Sequence, residues 1–168
     1  MKTEQRALWI AILWGGFVAG TIDIGAAALI NRLSPVIILH AIASGLLGKA
    51  SFNEGAPAAI LGLGLQWGMS LVIAGLFVAA TRRLPALTRR WIAGGSGYGV
   101  VIFLVMNYVV VPLSAAPWNP WKRQFSVEKF IENFLAIILF GLIVALCARY
   151  FTYRNAASHR ENTPVSPA

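Results

Sequence analysis

Charged side chains are scarce in this chain of 168 residues. They make up 12% of it, whereas hydrophobic residues make up 58%. An ordinary soluble domain has about 25% charged and about 45–50% apolar residues. So few polar side chains cannot cover this much apolar surface, which argues against a water-soluble fold. The single cysteine, Cys147, lies inside an apolar run and excludes a disulfide scaffold.

Acidic residues are scarcer still, with 6 Asp and Glu against 14 Lys and Arg and a formal charge of +8. A basic balance can indicate nucleic-acid binding, but a single-strand binder interleaves its basic residues with aromatic residues. Here the basic residues stand in short clusters beside apolar runs, as is typical of topology signals at a membrane surface. The predicted partner is therefore the lipid bilayer, and no nucleic acid is expected.

Four apolar stretches are long enough to cross a bilayer, which takes about 20 helical residues. They cover residues 7–30, 56–80, 91–113 and 133–153. The sequence predicts an all-α membrane protein with a four-transmembrane-helix bundle in an integral membrane domain at 1–153. Because residues 154–168 are polar and contain two prolines, we expect a disordered cytoplasmic tail there.

A fifth apolar stretch, at 35–50, follows the first span and is short. Ser34 can cap a helix, and Pro35 at its first position loses no N–H that the helix needs. A helix of this length is typical of a re-entrant or interfacial element. A tilted or distorted span is the alternative.

The connector at 81–90 carries four arginines in ten residues. Because cytoplasmic loops are enriched in Lys and Arg, this connector predicts an orientation with both termini in the cytoplasm. The first apolar run is longer than the core of a secretory signal and contains Asp23, so we expect an uncleaved first span.

Glycines four residues apart occur in three of the spans. Such pairs form a flat stripe on one helix face and allow close helix packing in a membrane. We expect these stripes to pack within the bundle, with contact to a second subunit or another membrane protein as the alternative. The residues are Gly16, Gly20, Gly64, Gly68, Gly95 and Gly99.

Asp23 is the clearest candidate for a functional residue, because an ionisable side chain within a span is costly. An apolar environment favours the neutral acid, which can donate a hydrogen bond. The structural alternative is a carboxyl group satisfied by a neighbouring helix end or by Asn31 or Arg32.

Other polar residues of the apolar runs complete a candidate intramembrane cluster with Asp23. His40 and Ser44 share a face of the short helix, since they are four residues apart. Amide and hydroxyl side chains in spans can also simply bridge helices. The further members of the cluster are Gln66 and Asn107, and Ser70 is expected only to bridge helices.

No catalytic or metal-binding pattern is present. The chain has no GxSxG, CxxC or HExxH motif, and one histidine within the apolar runs cannot form a zinc site. Ser44, His40 and Asp23 have the residue types of a catalytic triad, but Ser44 and His40 would bond locally on one helix. The protein is predicted not to be an enzyme and to use no metal or cofactor. An enzyme acting on lipid is the least favoured alternative.

Two segments, Leu39–Gly48 (LHAIASGLLG) and Asn107–Ser114 (NYVVVPLS), resemble small bacterial membrane proteins of the YagU-like group. The resemblance covers residues 13–117. It implies a multi-pass protein of the bacterial inner membrane with no assigned activity. It also implies that similar sequences have a histidine at the position of Gln66. Because the amide of Gln66 does not titrate, this difference argues against a proton relay through the second span.

Two functions follow from these observations. The first is a non-enzymatic membrane component that acts through helix or lipid contacts, as the glycine stripes and the basic connector suggest. The alternative is a small proton- or solute-conducting transporter or channel. Its path would be lined by Asp23, His40, Gln66 and Asn107.

Overall fold

The computed structural model describes residues 2–117 and 127–161, with side chains described for 5–117 and 127–151. Every regular element in these ranges is helical, so the predicted all-α class is confirmed. The elements are α1 (Lys2–Asn31), α2 (Pro35–Leu47), a 3₁₀ segment (Gly48–Phe52), α3 (Ala56–Arg83), α4 (Ala86–Arg89), α5 (Trp91–Val105), a π-helical segment (Met106–Val110), α6 (Val111–Leu113) and α7 (Val127–Glu161).

Five helical stretches are long and apolar enough to cross a membrane. Only 17% to 33% of the residues in their most apolar windows are buried inside the protein, so most apolar side chains face outwards. In water this outer surface would be one large exposed apolar patch. The protein is therefore membrane-embedded. The stretches are Gln5–Asn31, Pro35–Phe52, Ala56–Arg83, Trp91–Leu113 and Val127–Phe151.

Helices α1 and α3 pack antiparallel. Gly16 lies against Leu71, whereas Asp23, two turns later in α1, lies against Gln66, which is earlier in α3. The C-terminal end of α1 and the N-terminal end of α3 therefore lie at the same end of the bundle. The segment Pro35–Phe52, which joins them, starts and finishes at that end.

Helix α7 packs between α1 and α5. Its contact with α5 is antiparallel, because Gly95 lies against Leu142 and Gly99 lies against Ile138. The helices thus follow the order α3, α1, α7, α5 around the bundle, and Tyr98 of α5 contacts α3 through its hydrogen bond to Ile73. Helix α4 packs against α3, α5 and α7.

Small residues form much of the interior. Ala19, Ala74 and Ala145 are completely buried, whereas large residues such as Leu29 and Leu113 are more than three-quarters exposed. Lipid tails solvate leucine as well as a neighbouring helix does, so close backbone approach at small residues holds such a bundle together.

Helix α2 begins and ends at the expected signals. The Ser34 hydroxyl accepts a hydrogen bond from the Ile37 N–H at 3.4 Å, and Pro35 occupies the first helical position. Gly48 ends the helix with φ +61°, a conformation that glycine adopts without steric cost. The helix packs on α1 through Ile38 and on α3, where the Leu39 carbonyl lies against Gly62.

Four of the six glycines expected to pack lie at close helix contacts. A β-carbon on Gly16 or Gly95 would stand 2.8 Å or 2.9 Å from its nearest neighbour. Gly64 and Gly68 differ, because a β-carbon there would meet no atom of the described chain within 4 Å. The packing role expected for these two residues within the bundle is wrong, since their face of α3 points outwards.

The last helix is longer than the predicted span at 133–153. It starts at Val127 and continues to Glu161, so the first residues of the predicted tail are helical. Alanine at 156 and 157 favours helix, and no proline stands between Val127 and Pro164. Residues 162–168 of that tail lie outside the described residues.

Candidate functional site

A cavity of about 170 Å³ opens between α1, α3, α7 and the chain from α5 into the π-helical segment. Its walls are mainly apolar. Four polar side chains interrupt them: Asp23 of α1, Gln66 and Ser70 of α3, and Asn133 of α7. Polar groups that converge in an apolar cavity are what a small-molecule site requires.

Asp23 and Gln66 form the central contact of this cavity. The Gln66 Nε2 donates a hydrogen bond of 2.8 Å to the Asp23 Oδ2, across the interface of α1 and α3. Gln66 is buried and Asp23 is half-buried. Asp23 lies eight residues before the end of α1, which is about 12 Å at about 1.5 Å per residue. The pair therefore lies well inside the apolar part of the helix.

Gly20 allows the approach that creates this pair. A β-carbon at Gly20 would stand 2.5 Å from the Ser70 hydroxyl oxygen, closer than any real contact. Gly20 and Asp23 share one face of α1, since they are three residues apart, and Gln66 and Ser70 share one face of α3. The close contact at Gly20 thus fixes the register of α1 against α3, and this register brings Asp23 opposite Gln66.

Ser70 is 2% exposed, yet its hydroxyl makes no hydrogen bond with any described residue. Serines in helices usually donate to a backbone oxygen one turn back, as Ser44 does to Ala41 at 2.6 Å. The Asp23 Oδ1 likewise receives no hydrogen bond from the described part of the chain. The Ser70 hydroxyl oxygen and the Asp23 Oδ1 are therefore both available to a ligand in the cavity.

Asn133 adds an oxygen from α7. Its Nδ2 donates to the Lys129 backbone oxygen at 2.8 Å, one turn back. This bond holds the amide in one orientation and leaves its Oδ1 without a described donor. No basic residue is among those that line the cavity.

His40 and Ser44 belong to a different part of the fold. The His40 Nδ1–H donates to the Ser51 backbone oxygen at 2.5 Å, and its ring stacks on Phe52 with centroids 6.2 Å apart. The chain folds back over α2 at the 3₁₀ segment, so His40 is satisfied locally. Its ring does not line the cavity.

Asn107 is also absent from the cavity wall. It lies in the π-helical segment, where its Nδ2 donates to the Phe103 backbone oxygen at 2.9 Å. Met106 lines the cavity instead. The single cluster of five polar residues expected from the sequence is therefore not formed: only Asp23 and Gln66 of the five meet.

Sequence reasoning missed two members of the site. Ser70 follows Gln66 by four residues, a spacing that could have placed it on the same face of α3. Asn133 stands at the start of the predicted fourth span, where an amide is unremarkable. No signal within its own segment points to the cavity.

The described residues hold no group of three or more His, Cys, Asp or Glu side chains that could bind a metal ion. No protein-family model, curated protein or solved structure that was compared with the chain matches it. The resemblance to the YagU-like group therefore stays a prediction from its two motifs.

Proposed function

We propose that the protein is a non-enzymatic, multi-pass membrane protein that binds a small polar solute in the Asp23 cavity and conducts it across the bilayer. The observation that carries this proposal is the Asp23–Gln66 pair, beside a buried hydroxyl that has no described partner. Polar groups are costly in a membrane interior, and ionisable ones there typically mark solute or ion pathways.

The proposed topology has four crossings, made by α1, α3, the α5–α6 stretch and α7. The segment Pro35–Phe52 would form a re-entrant or interfacial element. This is supported by the antiparallel contact of α1 with α3, which brings both ends of that segment to one end of the bundle. Four crossings return the chain to the side on which it started.

The proposed orientation has both termini in the cytoplasm of a bacterium, with the protein in the inner membrane. The four arginines of the 81–90 connector support it, because all four are exposed at one end of the bundle. The resemblance to the YagU-like group is in keeping with this localisation.

A second candidate function is a membrane component that associates with another copy or with a membrane protein through α3. The observation that favours it is the open face at Gly64 and Gly68, where no described atom lies within 4 Å. Loss of a dimer in mild detergent on Gly68→Leu would support it, and a strictly monomeric wild type would contradict it.

Solute uptake into proteoliposomes tests the main proposal. Swelling would be followed by light scattering with methylammonium thiocyanate, whose anion crosses a bilayer unaided and balances the charge, and with urea. Methylammonium and urea are both small enough for the cavity. We expect uptake above that of protein-free liposomes, and its loss in Asp23→Asn. Asn107→Ala is the matched control, because its amide lies on α5's continuation but outside the cavity. Wild-type swelling no faster than that of protein-free liposomes would overturn the proposal.

A further inference from the structure

We infer that the ligand of the Asp23 cavity is a small monovalent cation, held by oxygen atoms from α1, α3 and α7. This inference rests on the proposed solute-binding function of the same cavity and names the chemical class of its ligand. It is supported by the charge, the unoccupied oxygen atoms and the size of the cavity.

The charge of the lining residues selects a cation with one positive charge. Asp23 is the one ionisable side chain among the residues that line the cavity. A lone carboxylate inside a membrane protein is costly unless it takes up a proton or an opposite charge compensates it. A monovalent cation that replaces the proton keeps the site neutral, a divalent cation leaves it charged, and an anion is repelled.

The cavity also offers oxygen atoms that no described donor occupies, which are the atoms a cation needs as ligands. Gln66 directs its Nε2 to Asp23, and Asn133 directs its Nδ2 to Lys129. Each amide oxygen therefore remains, with the second N–H of each amide, together with a hydroxyl and a carboxyl oxygen. The four oxygens without a described donor are Asp23 Oδ1, Gln66 Oε1, Ser70 Oγ and Asn133 Oδ1.

These oxygens are open to a ligand rather than sealed in the packing. In the part of the chain whose side chains are described, every fully buried side-chain nitrogen or oxygen has a hydrogen-bond partner. Since Ser70 Oγ and Asp23 Oδ1 have none, both must retain some accessible surface. The cavity that the two residues line supplies that surface.

The volume limits the ligand to a few heavy atoms. A cavity of about 170 Å³ holds about five or six waters, at about 30 Å³ for each. Ammonium, methylammonium or an alkali ion with a few waters fits this space. Ligands of drug size occupy pockets of about 300–1,000 Å³, which is more than this cavity offers.

Cation binding can be measured directly on the purified full chain in detergent, through its Tm in chloride salts of equal ionic strength. A ligand that binds the folded state raises Tm with a saturable concentration dependence. We expect a saturable rise in Tm with at least one of sodium, potassium, ammonium and methylammonium. Comparison of the four salts also shows whether the site prefers an alkali ion or a protonated amine. N-methyl-D-glucamine is too large for the cavity and serves as the control for ionic strength.

Variants tie the rise in Tm to the cavity. Asp23→Asn keeps the shape and removes the charge, so we expect the salt-dependent rise to disappear. Ser70→Ala keeps the charge and removes one oxygen, so the apparent affinity should fall by about 2- to 10-fold. Asn107→Ala should behave as wild type. An equal rise with N-methyl-D-glucamine, an undiminished rise in Asp23→Asn, or a response to pH alone would overturn the inference.

The outcome separates this inference from the proposed function. Cation binding without any solute uptake in proteoliposomes would overturn conduction and leave the cation site standing. Uptake of neutral urea that needs Asp23 but shows no cation response would overturn the cation site and leave the proposed function standing.

Discussion

Gly20 of α1 lies so close to Ser70 of α3 that a β-carbon on the glycine would stand 2.5 Å from the serine hydroxyl oxygen. This contact connects packing to the candidate site. It brings α1 and α3 together one turn from the Asp23–Gln66 hydrogen bond, and Ser70 itself lines the cavity. The register of these two helices therefore decides whether the polar groups meet.

Gly20→Leu should destabilise the protein, because the added side chain cannot be placed without pushing α1 away from α3. Overpacking of this kind costs about 1–3 kcal/mol. The free energy of unfolding in a mixed detergent titration would measure it. Gly25→Leu is the matched control on α1, since a β-carbon there meets no described atom within 4 Å, and it should leave the stability nearly unchanged. Equal losses in both variants would contradict this account of the interface.

Tyr98 connects α5 to α3 by a single hydrogen bond, which its hydroxyl donates to the Ile73 backbone oxygen at 2.7 Å. Tyr98→Phe keeps the ring contact with Phe77, whose centroid lies 5.0 Å away, and removes only this bond. We expect a loss of about 0.5–1.5 kcal/mol in the same unfolding titration. No change in stability would show that the bond contributes nothing to the packing of α5.

Much of the helix pattern could be predicted from local signals. Ser34 and Pro35 mark the start of α2, and the lengths of the apolar runs give the five helical stretches. The partner of Asp23 could not be predicted, because Gln66 is 43 residues away. Their meeting depends on a helix register that close packing at Gly20 sets.

The positions of His40 and Asn107 were beyond sequence reasoning for different physical reasons. His40 bonds to Ser51 because the chain turns back through a 3₁₀ segment, and no periodicity of α2 indicates that turn. Asn107 lies in a π-helical segment, where the Val111 N–H bonds to the Met106 oxygen. The regular spacing of side chains on an α-helix therefore does not hold at Asn107.

His40→Phe should lower stability without affecting the cavity. The ring donates to the Ser51 oxygen and stacks on Phe52. Phenylalanine keeps a ring but has no N–H, so it leaves a buried carbonyl group without its donor, at a cost of about 1–3 kcal/mol. Thermal unfolding would measure the loss, and the rise in Tm with small cations should stay as in wild type. A cation response abolished by His40→Phe would instead place this histidine in the ligand path.

The side of the membrane on which each connector lies can be read by cysteine labelling. In a Cys147→Ser background, single cysteines would replace Leu33, Asn53 and Leu84, each of which is exposed at a helix end. Because α1 and α3 are antiparallel, Leu33→Cys and Asn53→Cys should both react with a membrane-impermeant maleimide added outside intact cells. Leu84→Cys should react only after the membrane is opened. Labelling of Leu33→Cys and Asn53→Cys from opposite sides would mean that Pro35–Phe52 crosses the bilayer, which gives five crossings and puts the two termini on opposite sides.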